Sequence, residues 1–515
     1  METDKNAVHV SQKSLFSIVV FGLCTGATII SYQTYLFTWD DSDYLRRSIS
    51  VSRAFWSGNK HALTFLIPSI HPPIMTLLGI PWGPLTSWEA AGKCFITLTV
   101  LTAFFIACSL FLLLRAGLNP LYLAIASLCL FAAIGPYPSG SYSRLFATGF
   151  LADSLFAWIV FATVLLIPYE MRTQDSSTGN GAAHGILWAV ILSAGVMTKV
   201  NFFYFLGLVV PVLFAIRVRR GGLRSGCVAL SALAVASIPA VIYWLRYGLL
   251  ALKNAWWASF GHDATFYKVP LRLFVSRTLR ESPGMLLPAI FVIGAIAYLA
   301  VKRNEVRWGA NLLPLLIMAG YCVVALASSN REIRFLFPVI IAPPFLVGLL
   351  LSRHTHALSS RSAALAAALV FVCLAAASVP MMRRPDKESI RKSEEVLAQA
   401  VDSHAKYVLL GTDSKSLNGN LMEVAIALSS QPSITEGTLA WRAASGSPIE
   451  DDFQSIRESD LVVFENKDSL LNDPITNQRA AQYEQFTRHY AGDVPVKVVD
   501  GVRMYRIDHA TAGAR

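Results

Sequence analysis

Charged residues are scarce in this sequence. Only 15% of the 515 residues are Asp, Glu, Lys or Arg, whereas 54% are hydrophobic, and the mean hydropathy is +0.49. Soluble globular proteins carry about 25% charged residues, so this composition excludes a wholly soluble protein. The long apolar runs end near residue 379, and residues 380–515 have an ordinary soluble composition. We therefore expect an integral membrane protein with a C-terminal soluble domain.

Cysteine is sparse as well. The seven cysteines all lie in or beside apolar runs, and residues 380–515 contain none. A disulfide framework and a thiolate metal site are therefore not expected. Buried cysteines of this kind act as small hydrophobic side chains.

The net charge of +11 and the pI near 9.3 suggest that the protein contacts a negatively charged partner. Many of the basic residues lie in loops between apolar runs, and no nucleic-acid-binding module is recognisable. Basic loops beside a membrane set its orientation and contact anionic lipids. Membrane lipids, and not nucleic acid, are the partners that this charge predicts.

The apolar runs predict a bundle of about eleven transmembrane helices, because a span needs about 20 apolar residues. The fold class is therefore mainly α, with amphipathic juxtamembrane helices in the first outer loop and a small C-terminal α/β domain. The predicted spans are 14–38, 94–114, 118–136, 149–168, 184–198, 200–216, 226–247, 285–301, 310–327, 335–352 and 363–379.

The positions of the arginines and lysines predict the orientation. Basic clusters at 217–224, 302–307 and 353–361 fall in three short loops, which we assign to the cytoplasmic side. The N-terminus then lies inside, and the C-terminal domain lies outside. This gives a membrane domain over residues 1–379, including the first outer loop 39–93, and an extracytoplasmic domain over residues 380–515.

An acidic motif follows the first span. Asp40, Asp41 and Asp43 lie within four residues, and Tyr44 comes next. These acids could favour the dipole at the start of an amphipathic helix through 43–57, or one of them could be a general base or a metal ligand. Further along the same loop stands His71, followed by two prolines and an isoleucine, which is typical of a loop-to-helix junction.

Together these residues resemble a known family. The pattern Asp-Asp-x-x-Tyr at 40–44 with His-Pro-Pro-Ile at 71–74 is similar to that of the GT-C glycosyltransferases. The protein mannosyltransferase and aminoarabinose transferase group, which uses polyprenyl-phosphate sugars, matches best. The resemblance implies that Asp40 is the base, with Asp41 as the alternative, and that Tyr44 and His71 position the substrate. Asp41 departs from the glutamate that is commoner at its position.

Three later stretches agree with this family. Asp153 opens the fourth span, where these enzymes often carry a second acid, so the resemblance implies a catalytic-site role for it. We expect Asp153 to orient the acceptor or to bind an arginine, for which Arg144 is one choice. The turn ending in Thr198-Lys199 and the segment from Arg331 to Pro338 also resemble family motifs. Lys199, Arg331 and Arg334 would then bind the donor phosphate, although Lys199 could also snorkel and Arg334 could pair with Glu332.

The implied reaction is chemically consistent with these residues. A carboxylate that accepts the proton of a sugar hydroxyl makes that hydroxyl a better nucleophile. The lipid phosphate leaves as an anion, which cationic side chains stabilise, and one-step displacement inverts the anomeric carbon. The partners expected from the resemblance are a polyprenyl-phosphate sugar and an envelope acceptor (a glycolipid such as lipid A, another glycan or a protein) on the outer face of a bacterial inner membrane. No cofactor and no metal ligand is assigned, and a divalent cation remains an option.

Two outer segments complete the predicted plan. The loop 248–284 is rich in aromatic and basic residues, so it is either an interfacial belt or a lid that docks lipid phosphate. In the soluble domain we expect a charged helix over 380–400, strands at 407–410 and 461–464, helices at 417–429 and 475–488, and a final hairpin turning at Asp500-Gly501. A capping or acceptor-docking role for this domain is favoured over catalysis.

Two other classes stay open. A transporter or lipid flippase would suit eleven spans, but no inverted repeat is visible and the polar residues gather at one face instead of the midplane. A non-catalytic membrane scaffold would leave the acidic motif without a chemical role.

Overall fold

A computed structural model describes residues 33–34, 39–67, 72–134, 152–172, 178–260, 270–281, 284, 286–301, 312–328, 333–352, 383–384, 387–414, 416–429, 433–444, 448–465 and 474–509. The chain forms two compact units. The first unit is Met1–Ser31, Ile67–Met75 and Phe95–Met381, and the second is Tyr32–Leu66, Thr76–Cys94 and Met382–Arg515. The segment 39–93, predicted to be the first outer loop, therefore belongs largely to the same unit as the C-terminal residues.

Helices dominate both units. In chain order the helices are α1 (Trp39–Trp56), α2 (Lys60–Leu66), α3 (Ile74–Leu77), α4 (Trp88–Arg115), α5 (Pro120–Ile134), α6 (Ala152–Arg172), α7 (Thr178–Thr198), α8 (Phe203–Ala236), α9 (Ile238–Phe260), α10 (Leu271–Glu281), α11 (Leu286–Val301), α12 (Leu313–Ala327), α13 (Phe337–Leu351), α14 (Lys387–Asp402), α15 (Gly419–Ser429), α16 (Leu439–Ala444), α17 (Ile449–Glu458) and α18 (Pro474–Ala491). The strands are β1 (Gln33–Thr34), β2 (Arg383–Arg384), β3 (Tyr407–Leu410), β4 (Thr435–Thr438), β5 (Leu461–Glu465), β6 (Lys497–Val499) and β7 (Val502–Arg506).

The chain is an integral membrane protein. Among the described residues, four helical segments are long and apolar enough to cross a membrane: Trp88–Arg115, Ala152–Arg172, Gly181–Thr198 and Val200–Ala236. The described parts of the predicted spans from 94–114 to 335–352 are helical, and 184–198 proves to be the end of a full-length helix beginning at Thr178. The prediction of a helix through 14–38 was wrong at its end, because Gln33–Thr34 form the strand β1, which pairs in parallel with β2. The predicted spans 363–379 and, for nearly all its length, 14–38 lie outside the described residues.

Helix α8 is two arms and not one long rod. Gly222 has φ +76°, a conformation that an L side chain rarely adopts, and the helical path reverses there. Gly226 in the second arm lies against Val218 and Phe214 of the first arm, so the arms run back along each other. The arms correspond to the separate spans predicted at 200–216 and 226–247, and the second arm continues into α9.

Close packing in the first unit depends on small residues. A Cβ added at Gly185 on α7 would lie 2.1 Å from the backbone oxygen of Ala229 on α8, and one added at Gly181 would lie 3.0 Å from that of Ser225. Glycines at this four-residue spacing let two membrane helices approach closely. Ser193 Oγ donates to Ser237 Oγ at 3.0 Å further along the same pair of helices.

Not all of the basic residues in the predicted loop 217–224 are exposed. Arg217 is 1% exposed and lies 3.8 Å from Glu170 of α6, and its Nε donates to Ser225 Oγ at 3.1 Å. Trp188 Nε1 donates to Glu170 Oε1 at 2.9 Å, and His184 Nδ1 lies 2.5 Å from the same oxygen. Arg217 is therefore an internal ion-pair partner, which weakens its use as evidence for orientation.

The predicted outer loop 248–284 is also largely helical. Helix α9 extends to Phe260, and α10 occupies Leu271–Glu281. The sequence analysis assigned no helix within this segment, although aromatic and basic residues at helical spacing readily form an amphipathic helix. In α10, Leu271, Val275 and Leu279 are exposed on one side, as expected of a helix at a membrane interface.

The second unit is a small α/β structure, as predicted. Its sheet has the order β4-β3-β5-β7-β6, in which β3 pairs in parallel with β4 and β5, and β7 is antiparallel to β5. Side chains alternate between two cores, with Val408 and Leu410 on one face and Leu409 on the other. Helices α14 and α15 cover the first face, and α16 to α18 cover the second.

The predicted elements of this unit are present, with shifts of a few residues. The hairpin turns at Asp500 (φ +50°) and Gly501 (φ +81°), as the Asp-Gly pair indicates. The leading charged helix begins only at Lys387. Strand β4 and helices α16 and α17 were not predicted, because β4 (Thr-Glu-Gly-Thr) has no apolar alternation to mark it.

Candidate active site

Three separated sequence segments meet at one end of the first unit. Lys199, directly after α7, donates through Nζ to Asp153 Oδ1 in the first turn of α6. The same Nζ lies 5.9 Å from the ring centroid of Phe156 and 5.2 Å from that of Phe335, which belongs to a 3₁₀ turn (Ile333–Leu336) before α13. The structure thus brings together the acid of the fourth span, the Thr-Lys turn and the 3₁₀ turn at 333–336.

The Asp153–Lys199 pair is buried among apolar side chains. Its side chains are 4% and 15% exposed, respectively. The positive end of the α6 dipole favours the carboxylate in that first turn. Sequence reasoning had suggested an arginine as the partner of Asp153, with Arg144 as one choice. The structure shows Lys199 in that role, and Arg144 lies outside the described residues.

This pairing also bears on the alternative in which Lys199 snorkels towards water. The ammonium is held by Asp153 and lies near two aromatic rings, which attract a cation through their π faces. A lysine ammonium has three N–H donors, and Asp153 accepts from one of them. The arrangement keeps a fixed positive charge that can contact a second anion.

Two polar residues that sequence reasoning did not select lie near this pair. Tyr321 on α12 is 2% exposed, its buried hydroxyl has no hydrogen-bond partner among the described residues, and it lies close enough to Asp153 to interact with it electrostatically. Asn201 follows Lys199 closely in the chain and is exposed. The signal for Asn201 was its place beside the Thr-Lys turn, whereas a tyrosine within an apolar run gives none.

The acidic motif of the second unit lies on a helix. Positions 40, 41 and 43 all fall in the first turns of α1, which begins at Trp39. Asp43 accepts from Arg46 Nη2 at 2.7 Å and from Arg47 Nε at 2.8 Å. Burial disfavours the ionised carboxylate, but the two guanidinium groups outweigh it and hold the pKa of Asp43 below its ordinary value. Asp43 is thus committed to ion pairs within its own helix, which leaves Asp40 and Asp41 as candidates for the base.

Tyr44 is buried, with 4% of its surface exposed. By helical spacing, positions 40 and 44 share one face of α1, whereas positions 42, 46 and 53 share the opposite face. The motif Asp-Asp-x-x-Tyr is therefore a helical motif in which the tyrosine lies one turn below the first acid.

α1 differs from the amphipathic juxtamembrane helix that was expected. Ser42, Ser48 and Ser52 are 0% exposed. Ser52 Oγ donates to the carbonyl oxygen of Gly83 at 2.5 Å, and Cys94 Sγ lies 3.6 Å from Ser48 Oγ. Small hydroxyl side chains let neighbouring segments pack against this helix, so these three serines are covered by protein.

The remaining candidates are only partly located. His71 and Arg331 lie outside the described residues, and Arg334 is described only as part of the 3₁₀ turn that also contains Phe335. No group of three His, Cys, Asp or Glu side chains in the described part of the chain could hold a metal ion.

Comparison with known proteins shows which known fold this chain resembles. No family model and no curated protein matches the sequence. The crystal structure of ArnT from Cupriavidus metallidurans bound to undecaprenyl phosphate matches with a TM-score of 0.53 and 11% sequence identity, over 98% of both chains. The fold of this chain therefore resembles that of ArnT, a GT-C enzyme. An oligosaccharyltransferase from Archaeoglobus fulgidus, in complex with Zn and sulfate, gives a TM-score of 0.45 and 14% identity over 92% of this chain and 69% of that chain.

This GT-C resemblance confirms the one that the motifs indicated. At 11% identity the match establishes the fold of the chain and not its substrate. The activity has to be argued from the site residues themselves.

Proposed function

We propose that this protein is a membrane glycosyltransferase that moves a sugar from a polyprenyl-phosphate donor to a cell-envelope acceptor. The observation that carries the proposal is the buried Asp153–Lys199 pair, which stands beside the 333–336 segment in a GT-C fold. The ArnT structure with that fold was solved with undecaprenyl phosphate bound. A lipid phosphate is therefore the ligand class to test first.

Lys199 is proposed to bind the phosphate of the donor lipid. As the bond between the anomeric carbon and the phosphate oxygen breaks, negative charge grows on the leaving phosphate. An ammonium fixed in a water-poor site stabilises that charge more strongly than one in bulk water. Asp153 positions the ammonium, and Arg331 and Arg334 are proposed to add positive charge on the same segment.

Asp40 is proposed as the general base, with Asp41 as the alternative. The carboxylate takes the proton of the acceptor hydroxyl while the hydroxyl oxygen attacks the anomeric carbon from the side opposite the phosphate. The electron pair of the old bond leaves with the lipid phosphate, so the sugar is transferred with inversion. Tyr44 and His71 are proposed to position the sugar, and a hexose or a pentose would fit this chemistry.

The acceptor is proposed to be a glycolipid such as lipid A, with another envelope glycan or a protein as further choices. The proposed location is a bacterial inner membrane, with the active site and residues 380–515 on the periplasmic side. A glycolipid is preferred because the exposed apolar side of α10 suits an interfacial position, where a lipid-linked acceptor would also lie.

A panel of radiolabelled polyprenyl-phosphate sugars would test the proposal on purified protein in nanodiscs with envelope glycolipids. The wild type is expected to release free lipid phosphate, and Asp40→Asn is expected to lower that rate at least about a hundredfold. Asp43→Asn is the matched control, since the same exchange three residues away removes only ion pairs within α1. Equal loss in both variants would refute the assignment of the base, and a repeat with chelator would show whether a divalent cation takes part.

A further inference from the structure

Helix α1 and helix α15 are held together at both of their ends. Near the start of each helix, Ser42 Oγ donates to Asn420 Oδ1 at 3.1 Å. Near the end of each helix, the guanidinium of Arg53 donates to the carbonyl oxygens of Ala427 and Leu428. The two helices therefore run parallel, and each contact joins residues more than 370 positions apart in the chain.

The side chain of Arg53, on α1, donates to backbone carbonyl oxygens of two other segments of the chain. Its Nε also donates to the carbonyl oxygen of Leu85 at 2.7 Å, in the segment before α4. The carbonyls of Ala427 and Leu428 lie in the last turn of α15, where helical carbonyls lack partners within the helix and carry partial negative charge. A guanidinium with its fixed fork of donors suits this cluster of acceptors, and a shorter or less branched cation would reach fewer of them.

The middle of the same face carries opposite charges. Arg46 on α1 interacts electrostatically with Glu423 on α15 and with Glu436 on β4. Burial raises the pKa of Glu423 to about 7, although Arg46 acts in the opposite direction. Thus Ser42, Arg46 and Arg53, which share one helical face, all interact with the C-terminal part of the second unit.

We propose that α15 positions the acidic motif, with Arg53 and Asn420 as positioning residues for the base. This inference rests on the proposed function in one respect, namely that α1 carries the general base. Two contacts about 11 residues apart fix both the axial shift and the rotation of a rigid helix. Position 40 lies on the face of α1 opposite these contacts, so α15 can hold the helix without covering that face. The C-terminal domain is then a part of the catalytic apparatus and not only a cap.

Hydrogen exchange of the full chain in nanodiscs tests the positioning directly. Arg53→Met keeps the aliphatic stem and removes every donor, and Asn420→Ala removes the acceptor at the other end. In Arg53→Met, peptides from 39–56 are expected to exchange at least about tenfold faster than in the wild type, while peptides from 387–402 keep their protection. Unchanged protection of 39–56 in both variants would overturn the proposal, whatever the activity of the protein.

Kinetics separate positioning from a merely structural role. A misplacement of about 1 Å costs up to about a hundredfold in rate, so Arg53→Met is expected to lower kcat by about tenfold or more while KM for the donor changes less than about twofold. Arg53→Lys is expected to recover part of this loss. A proportional loss of folded protein, with an unchanged kcat per folded molecule, would contradict the proposal.

A reversible cross-link provides the rescue. Ser42→Cys and Asn420→Cys in the Arg53→Met background would replace the lost attachment by a disulfide, and each single cysteine variant serves as a control. Oxidation is expected to restore the protection of 39–56 and the kcat, and reduction is expected to abolish both gains. If the cross-link restores protection but even the wild type releases no lipid phosphate, the proposed function fails and the positioning of α1 stands. A disulfide that forms without restoring protection would refute the positioning.

Discussion

The Asp153–Lys199 pair should behave as a buried unit in which neither member tolerates the loss of the other. Lys199→Met leaves a carboxylate that is only 4% exposed without its cation, and Asp153→Asn leaves an ammonium that is 15% exposed without its anion. Removal of one partner of a buried pair costs about 3–5 kcal/mol, because the charge that remains is neither solvated nor paired. Replacement of both partners by side chains of similar volume is nearly neutral.

The expected magnitude distinguishes this pair, which joins two segments, from an ion pair within one helix. We expect each single variant to lower the free energy of unfolding by about 3–5 kcal/mol, and the double variant to recover most of this loss. Asp43→Asn with Arg47→Met is the matched control, since this pair is 21% and 24% exposed and lies one helical turn apart. Its coupling energy should be about 0.5 kcal/mol.

Denaturation by SDS in mixed micelles, followed by tryptophan fluorescence, measures these energies for the four proteins of each cycle. The double variant is also expected to be inactive although it is stable, because it lacks the ammonium proposed to hold the donor phosphate. A coupling energy for Asp153 and Lys199 no larger than that of the control pair would refute the argument from burial. Full activity in the stable double variant would refute the proposed role of Lys199.

Further predictions concern the Asp43–Arg47 pair, the helix contacts and the pH dependence of the second unit. Asp43→Asn should retain at least about half of the wild-type turnover in the donor-release assay, since an ion pair between residues one helical turn apart contributes about 0.5 kcal/mol. Gly185→Ala should destabilise the protein by about 1–3 kcal/mol in SDS denaturation, because its Cβ would meet the backbone of α8, whereas Gly207→Ala, with open space around it, should have almost no effect. Burial raises the pKa of Asp413 to about 6, so the folded state loses stability as the pH rises from about 4 to above 6. Asp413→Asn should therefore stabilise the second unit by up to about 3 kcal/mol at pH 8 and leave it nearly unchanged at pH 3.5, as measured by the exchange of peptides from 407–429, and an equal effect at both pH values would contradict this reasoning.

Much of the membrane architecture could be predicted from the sequence because the signal is local. An apolar run of about 20 residues is sufficient to mark a span, and the runs at 94–114 and 149–168 correspond to α4 and α6. The buried strands at 407–410 and 461–464 were marked in the same way, by short runs of aliphatic residues between turns. The Asp-Gly hairpin was marked by its turn chemistry.

The pairing of Asp153 with Lys199 was not predicted, since the sequence analysis expected an arginine as the partner. The two residues stand 46 positions apart, and neither segment contains a local signal for the other. An acid in an apolar run indicates that a cation approaches it, but which cation does so depends on how α6 and α7 pack. Composition carries no information on that packing.

The contact between α1 and α15 was beyond sequence reasoning. Arg53 binds backbone carbonyls, and every residue of α15 has a carbonyl, so no complementary side chain exists to be recognised in the sequence. Strand β4 was missed for a related reason, since half-buried threonine and glutamate at a sheet edge look like a turn.

The central claim is that this chain breaks the bond between a sugar and a polyprenyl phosphate. The most direct test follows both halves of one doubly labelled donor, with label in the sugar and in the lipid, in sealed proteoliposomes that also contain envelope glycolipid. We expect lipid phosphate and glycosylated acceptor to appear in equal amounts, with inverted configuration at the anomeric carbon. Movement of the intact donor across the bilayer, without separation of the two labels, would contradict it and would identify a transporter.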